Sequence, residues 1–295
     1  MRVTNNLMSN SVTDTLQRNF ERIIELQNTV ASGKKVSKPS DDPIGIGDAL
    51  EFRTRISSIE QYGRNIKYGK SWLNITDATL GSIDNLLIRA KELAVYQASE
   101  TASDTTRDIA AEELSNIYDQ IMQLANTSSG GRYLFGGHQS DAAPYSRDAA
   151  FAATYAGDSG DIRVIIGESI DMAVNTSGDA VFDSDVNVFD VLRDLKNGLE
   201  DNDTTAIADQ VDQLDTAMDQ VLNQRAKVGA RLNRLDATQN HWETFKLTTQ
   251  ELLNATEDAD LVMAMTELQG METAYQAALA ATASVIQPNL MQFLR

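Results

Sequence analysis

The feature that most constrains this chain is a helical period held over two long stretches. Phe52, Ile56, Ile59, Tyr62, Ile66, Leu73, Leu80, Ile83, Leu87, Ala90 and Ala94 recur in the sequence at an average step of about 3.5 residues, the repeat of helices packed lengthwise in a bundle or coiled coil. The period returns at Val188, Val191, Leu195 and Leu199. It continues through Val211, Leu214, Met218, Val221, Val228, Leu232, Leu235 and Trp242. Between them, after a polar break at residues 99–106, Ala110, Leu114, Ile117, Ile121 and Leu124 mark a shorter helix. That helix is expected to fold back on the first as an antiparallel hairpin.

Both ends of the chain carry apolar stripes of the same kind. Val3, Leu7, Val12, Leu16, Phe20 and Ile23 form one; Leu261, Met265, Leu268, Met271, Tyr275, Leu279, Ile286, Leu290 and Phe293 form the other. Neither has an evident home in the chain's own core. An isolated helix of this length is marginal in water, so the two stripes are read as an assembly interface, ordered by packing against neighbours. Gly33 suits the left-handed turn after the first helix. Asp41, Asp42 and Pro43 read as the start of the next, with an acidic cap before proline at the first helical position.

The pattern changes at Gly130. Residues 130–137 hold Gly130, Gly131, Gly136 and Gly137 around Tyr133, Leu134 and Phe135. Here the glycines predict a tight exit from the helical part, with the aromatics anchoring the base of a β module. Short β-type runs appear at Ala152–Tyr155, Ile162–Ile166 and Met172–Asn175, punctuated by Gly157, Gly160, Gly167 and Gly178. The expected fold is therefore mainly α with a small β insert. The N- and C-terminal helices pair (1–31 with 257–295), residues 40–130 and 190–256 form a long antiparallel helical rod, and residues 138–188 form a small acidic β-rich domain at its tip.

Charge excludes some functions. The formal net charge is −18, and residues 139–219 hold 18 acidic against 4 basic side chains. Such a surface repels nucleic acid and anionic lipid and favours solubility. No apolar run approaches the roughly 18 residues of a membrane span, and the first 30 residues lack the pattern of a cleaved secretory signal. Without cysteine there is neither a disulfide framework nor a thiolate metal site.

Candidate chemistry is thin. His138 and His241, the only histidines, stand about a hundred residues apart without further ligands or a nucleophile at a set spacing. The glycines at 130–137 leave a helix and lack the Gly-Lys-Ser/Thr of a phosphate loop. Asp41 and Asp42 lack the alternate acidic positions of a calcium loop. Met263, Met265 and Met271 read as adaptable packing residues. No enzyme, cofactor or metal is expected.

Five segments carry a resemblance: MRVTNNLM at residues 1–8, SGKKVSKPSDDP at 32–43, ELAVYQA at 92–98, GGRYLFGG at 130–137 and ETAYQAALAATASVIQPNLMQFLR at 272–295. Together they resemble the flagellin superfamily, on the side of its members that join hook to filament; the insert is matched in pattern only. The resemblance implies a structural, self-assembling protein. It would be exported unfolded through the flagellar type III apparatus, after a cytoplasmic chaperone has held roughly residues 255–295. It would then add as a homo-oligomeric ring outside the cell, between a neighbouring hook-associated protein and flagellin. The terminal helices would line the inside and the insert would face out. A filament-forming flagellin, or less readily a secreted coiled-coil tether, is the alternative.

Overall fold

The computed structural model describes the backbone of residues 2–99 and 102–286 and the side chains of residues 10–99 and 102–283. Among the described residues, seven helices and six short strands run in order: α1 (Arg2–Ser32), α2 (Pro43–Gln97), α3 (Asp104–Ala125), β1 (Ser128–Ser129), β2 (Arg132–Tyr133), β3 (Tyr145–Arg147), β4 (Ala153–Tyr155), β5 (Arg163–Gly167), β6 (Ile170–Ala173), α4 (Gly178–Phe182), α5 (Val188–Glu200), α6 (Thr204–Glu257) and α7 (Leu261–Ile286). The chain divides into two compact units, residues 58–244 and residues 1–57 with 245–295. A mainly helical chain with small antiparallel sheets is what the period and the glycine pattern require.

In unit 58–244 the stripe residues become the core. Ile66, Leu73, Leu80, Ile83 and Leu87 of α2 are fully buried, as are Leu114 and Ile121 of α3, Leu195 and Leu199 of α5, and Leu214, Val221, Val228 and Leu235 of α6. α2 and α6 run antiparallel. Lys91 pairs with Asp215, Asp77 with Arg225 at 3.1 Å and Lys70 with Asp236, so residue numbers on α6 fall as those on α2 rise. The α2–α3 turn is tied by Arg107, which is buried; its guanidinium donates to the carbonyls of Gln97 (3.3 Å) and Ser99 (3.0 Å). A cation placed on the last carbonyls of a helix is favoured by the helix dipole. Ser103 caps α3 by accepting from the Thr106 amide.

The return stretch is two helices rather than the single run its period suggests. α5 ends at Glu200 and α6 starts at Thr204. Asn202 sits at φ +58°, and the Asp203 carboxylate accepts from the Thr205 and Ala206 amides at 3.0 and 3.1 Å. The Asp-Asn-Asp-Thr sequence is a legible N-cap. Its flanks are apolar at helical spacing on both sides, which hides it.

The insert belongs to unit 58–244 and packs on its helices. Two-stranded antiparallel sheets β3–β4 and β5–β6 form it with α4, and the β1–β2 hairpin leads into it. The indole N–H of Trp242 donates to the Ile166 carbonyl at 2.7 Å, the Asn65 amide to that of Ile165 at 2.7 Å, and Arg231 to that of Asn175 at 2.7 Å. The physical reason is that no strand pair this short can bury a face of its own. Instead the insert shares the rod's core through Phe135, Tyr145, Phe182 and Phe189, whose rings contact at centroid separations of 5.1–5.6 Å. Trp242 meets Tyr62 in a tilted contact at 5.2 Å, while Trp72 meets Tyr68 at 6.2 Å; the two tryptophans pack in different places.

Because Leu80 is fully buried while Ile109 of α3 is 65% exposed, Leu80→Ala should lower stability by about 2–5 kcal/mol and Ile109→Ala by no more than about 0.5 kcal/mol, as read by urea denaturation. Equal losses would contradict the assignment of the seam.

Candidate assembly surface

The second unit, residues 1–57 with 245–295, is built from α1, the start of α2, the end of α6, and α7. Its joint is short and well hydrogen-bonded. Gly33, at φ +72°, stops α1 with its amide on the Thr29 carbonyl at 2.8 Å. The chain then pairs with the segment after α6: the Lys35 amide donates to the Glu257 carbonyl at 2.8 Å, and the Ala259 amide to that of Gly33 at 2.9 Å. Asp260 caps α7, accepting from Val262 and Met263 amides at 3.0 Å each.

Glu257 is the ionic hub of this joint. It is 6% exposed, and its carboxylate pairs with both Lys34 and Arg53. Burial pushes its carboxyl upward, but the hydrogen bonds and charges of the two cations outweigh that and hold it below the ordinary glutamate range. Asp41 and Asp42 divide the work at the next corner. Asp42 caps α2, accepting from the Ile44 and Gly45 amides at 3.1 and 3.0 Å, with Pro43 as first helical residue. Asp41 instead gathers the preceding loop, accepting from the Lys38 amide at 2.9 Å and the Ser37 amide at 3.3 Å. Those bonds, the Lys38 amide foremost, hold its carboxyl below the usual range.

α1 and α7 lie against each other in an antiparallel pair. Phe20 and Tyr275 rings stand 6.0 Å apart, and Arg22 bridges Glu267 at 3.1 Å. The seam closes over Ile23 (6% exposed), Leu26 and Ala264. Ile23 is therefore covered by the chain itself, unlike the open surface its stripe suggests. Leu16, Leu268 and Tyr275 are half-buried, whereas Phe20 and Leu279 are exposed. Val3, Leu7 and Ile286 lie in helices whose side chains there are outside the described set, and Leu290 and Phe293 fall outside the described residues. The sequence stripe misses the most open residues: Val262 (77% exposed), Met263 (69%) and, on the start of α2, Ile44 (77%). Val262 and Met263 sit one and two positions past Leu261, off the periodic stripe, and Ile44 precedes the first stripe residue of α2, Phe52, by eight positions.

The two units are opposite in polarity. Among the described residues, 44 apolar side chains are buried and only five of them, Ile23, Leu26, Val36, Ala49 and Ala264, lie in this unit. Of 19 large apolar side chains that are exposed, eleven lie in it, Leu247, Leu252, Leu261 and Met265 included. Exposed apolar side chains concentrated in one unit to that degree point to an interaction face.

Elsewhere the predicted turn residues take structural positions. Gly130 and Gly131, at φ +61° and +81°, form the β1–β2 turn. At Gly136 a Cβ would meet the Gln139 carbonyl oxygen, and at Gly137 (φ +66°) that of Asp158. His138 sits 3.1 Å from the Asp161 carbonyl through Nε2, and His241 lies edge-on to Trp242. Among the described residues no group of three or more His, Asp or Glu side chains is placed to hold a metal ion, and no helix is long and apolar enough to cross a membrane.

Comparison with known proteins matches two family models. The bacterial flagellin N-terminal helical region covers residues 3–140, and the bacterial flagellin C-terminal helical region covers residues 211–294. Flagellar hook-associated protein 3 of Escherichia coli is 26% identical over 288 aligned residues, 89% of this chain and 90% of its own. Bacillus subtilis flagellin is 26% identical over 308 aligned residues, spanning both chains completely. Among solved structures, flagellar hook-associated protein 3 of Legionella pneumophila superposes with a TM-score of 0.64 at 17% identity, covering 70% of this chain and 98% of its own.

The Glu257 hub gives a pH signature. Its folded pKa is depressed, so the stability it adds is present above the ordinary glutamate range and is lost as pH falls through the folded value. Glu257→Gln should cost stability near pH 7 and cost progressively less toward about pH 3. Thermal melts across that range check this, and a pH-independent difference between variant and wild type would refute it.

Proposed function

The chain belongs to the flagellin superfamily, and from that premise we propose that it is the hook–filament junction protein of a bacterial flagellum, a structural subunit that joins one tubular assembly to the next. The inverted polarity of unit 1–57/245–295 carries this reading. A part that, among its described residues, buries five apolar side chains and exposes eleven large ones is stable in water only when other molecules cover it. In a flagellum those molecules are further copies in a ring, a hook-associated neighbour on one side and flagellin on the other. Such a role needs no catalytic group, and the protein acts as a building part rather than an enzyme.

The same exposed surface has to be kept from aggregating before assembly. A cytoplasmic chaperone that covers the C-terminal region, roughly residues 255–295, meets that need, since α7 holds Leu261, Val262, Met263 and Met265 exposed near its start. Export then carries the chain outside the cell, where the ring forms. The full-length match to Bacillus subtilis flagellin supports a second reading, a filament subunit. The hook-associated relatives favour the junction, and the extent of polymerisation separates the two: a ring stops, a filament grows.

Deletion of the gene should leave cells with hooks, without filaments, and shedding flagellin into the medium; the filament reading instead predicts bare hooks with no flagellin shed. Val262→Asp with Met265→Asp touches only exposed side chains, so monomer stability should move by about 0.5 kcal/mol or less per site. The same protein should fail to complement the deletion. Normal filaments on cells carrying it would overturn the reading.

A further inference from the structure

Unit 58–244 holds a cationic cleft and an acidic groove, each with charged side chains that make no ion pair among the described residues. The first is a cleft of about 360 Å³ lined by Tyr68, Ser71, Trp72, Ser129, Gly130 and Arg132. Arg132 is exposed and makes no ion pair among the described residues. Tyr68 is 45% exposed, and the buried indole N–H of Trp72 has no protein partner among them. Lys67, one turn before Ser71 on α2, is another exposed cation without an ion pair among the described residues. The positive-φ turn at Gly130 and Gly131 holds the strand end that carries Arg132 beside α2.

The second is a groove of about 590 Å³ between α5 and α6, lined by Asp190, Asp194, Asp209 and Asp212 among others. Arg193 answers Asp190 and Asp194. Asp209 and Asp212 have no ion pair among the described residues. The two patches do not serve each other. Trp72 and Lys91, whose partner Asp215 lies on α6 next to the groove, are 19 residues apart on one helix, which is roughly 30 Å. That exceeds the screening length of about 8 Å at physiological salt several times over.

Resting on the junction reading above, we infer that the Arg132 cleft of one copy docks against the Asp209–Asp212 groove of a second copy. Charge complementarity selects the occupant: the chain as a whole carries −18, so two copies repel unless a cationic site faces an acidic one. The contact joins unlike patches, hence it is heterologous. Heterologous contacts repeat around an axis and close into a ring or wind into a helix, the geometry that a tubular junction requires. The guanidinium takes a carboxylate through its fork of donors, with Tyr68 and Trp72 as an apolar wall that limits water around the pair.

The absence of cysteine from the chain makes a clean test. Full-length protein carrying Arg132→Cys and Asp209→Cys is expressed in the deletion strain, and isolated flagella are oxidised and run without reducing agent. Within one chain the two sites are too far apart to bridge, so a ladder of multimers, reversed by reductant, is expected; either single substitution gives no ladder. A second arm reads charge. Arg132→Glu should reduce the chain recovered in flagella about tenfold with an unchanged melting curve, and Asp209→Arg with Asp212→Arg on the same chain should restore it. Flagella that contain the two-cysteine chain only as monomer, normal recovery of Arg132→Glu, or failure of the charge swap to restore it would each overturn the docking. In all of these the wild-type chain is still found in flagella; its absence there would instead overturn the junction reading.

Discussion

Two packed helices share one seam, and whatever apolar residues lie outside it stay in water until another surface arrives. That constraint governs the terminal unit. α1 and α7 bury Ile23, Leu26 and Ala264 in their common seam, which leaves Phe20 and Ile24 on one helix and Leu261, Val262, Met263 and Met265 on the other facing outward. The joint beneath them is specified by polar bonds instead: the Gly33–Ala259 and Lys35–Glu257 backbone pairs and the Glu257 carboxylate held by Lys34 and Arg53. Such bonds fix geometry strongly while adding modest net stability. The result is a part whose shape is set by the chain and whose proposed role leaves the rest of its stability to neighbouring molecules.

The other unit solves the opposite problem. Four helical segments and the insert enclose a single core, into which the α2 stripe from Ile66 to Ala94 and the α6 stripe pack. Self-sufficiency there frees the surface for charge. Lys91–Asp215, Asp77–Arg225 and Lys70–Asp236 sit along the α2–α6 seam, where they fix register more than they add energy. The acidic groove and the Arg132 cleft remain outside that pairing. A subunit made this way has one half that completes its own core and another that leaves large apolar side chains exposed.

Much of this architecture is legible in the sequence because helix packing writes itself as spacing. Period alone assigns the positions from Ile66 to Ala94 to a core, and they are buried. Gly33, Asp42 and Pro43 are readable since each answers a backbone demand local to its own turn. The illegible features depend on partners distant in sequence. The Glu257 hub joins residues 34, 53 and 257, which no local pattern connects. The insert lies on α2 and α6 through Asn65, Arg231 and Trp242, polar or part-polar side chains whose bonds to remote carbonyls leave no periodic trace. Val262 escapes for a third reason: it lies one position off the stripe that begins at Leu261, so spacing does not single it out.

Completion of the terminal unit by its neighbours is the central claim. Hydrogen exchange at backbone amides of residues 10–32 and 261–283 measures it directly, compared between dilute monomer and intact flagella, with residues 73–94 as internal reference. In the monomer both segments should exchange far faster than the reference, and in flagella they should approach it. Protection of the terminal segments equal to that of residues 73–94 in the monomer, unchanged by assembly, would contradict the claim.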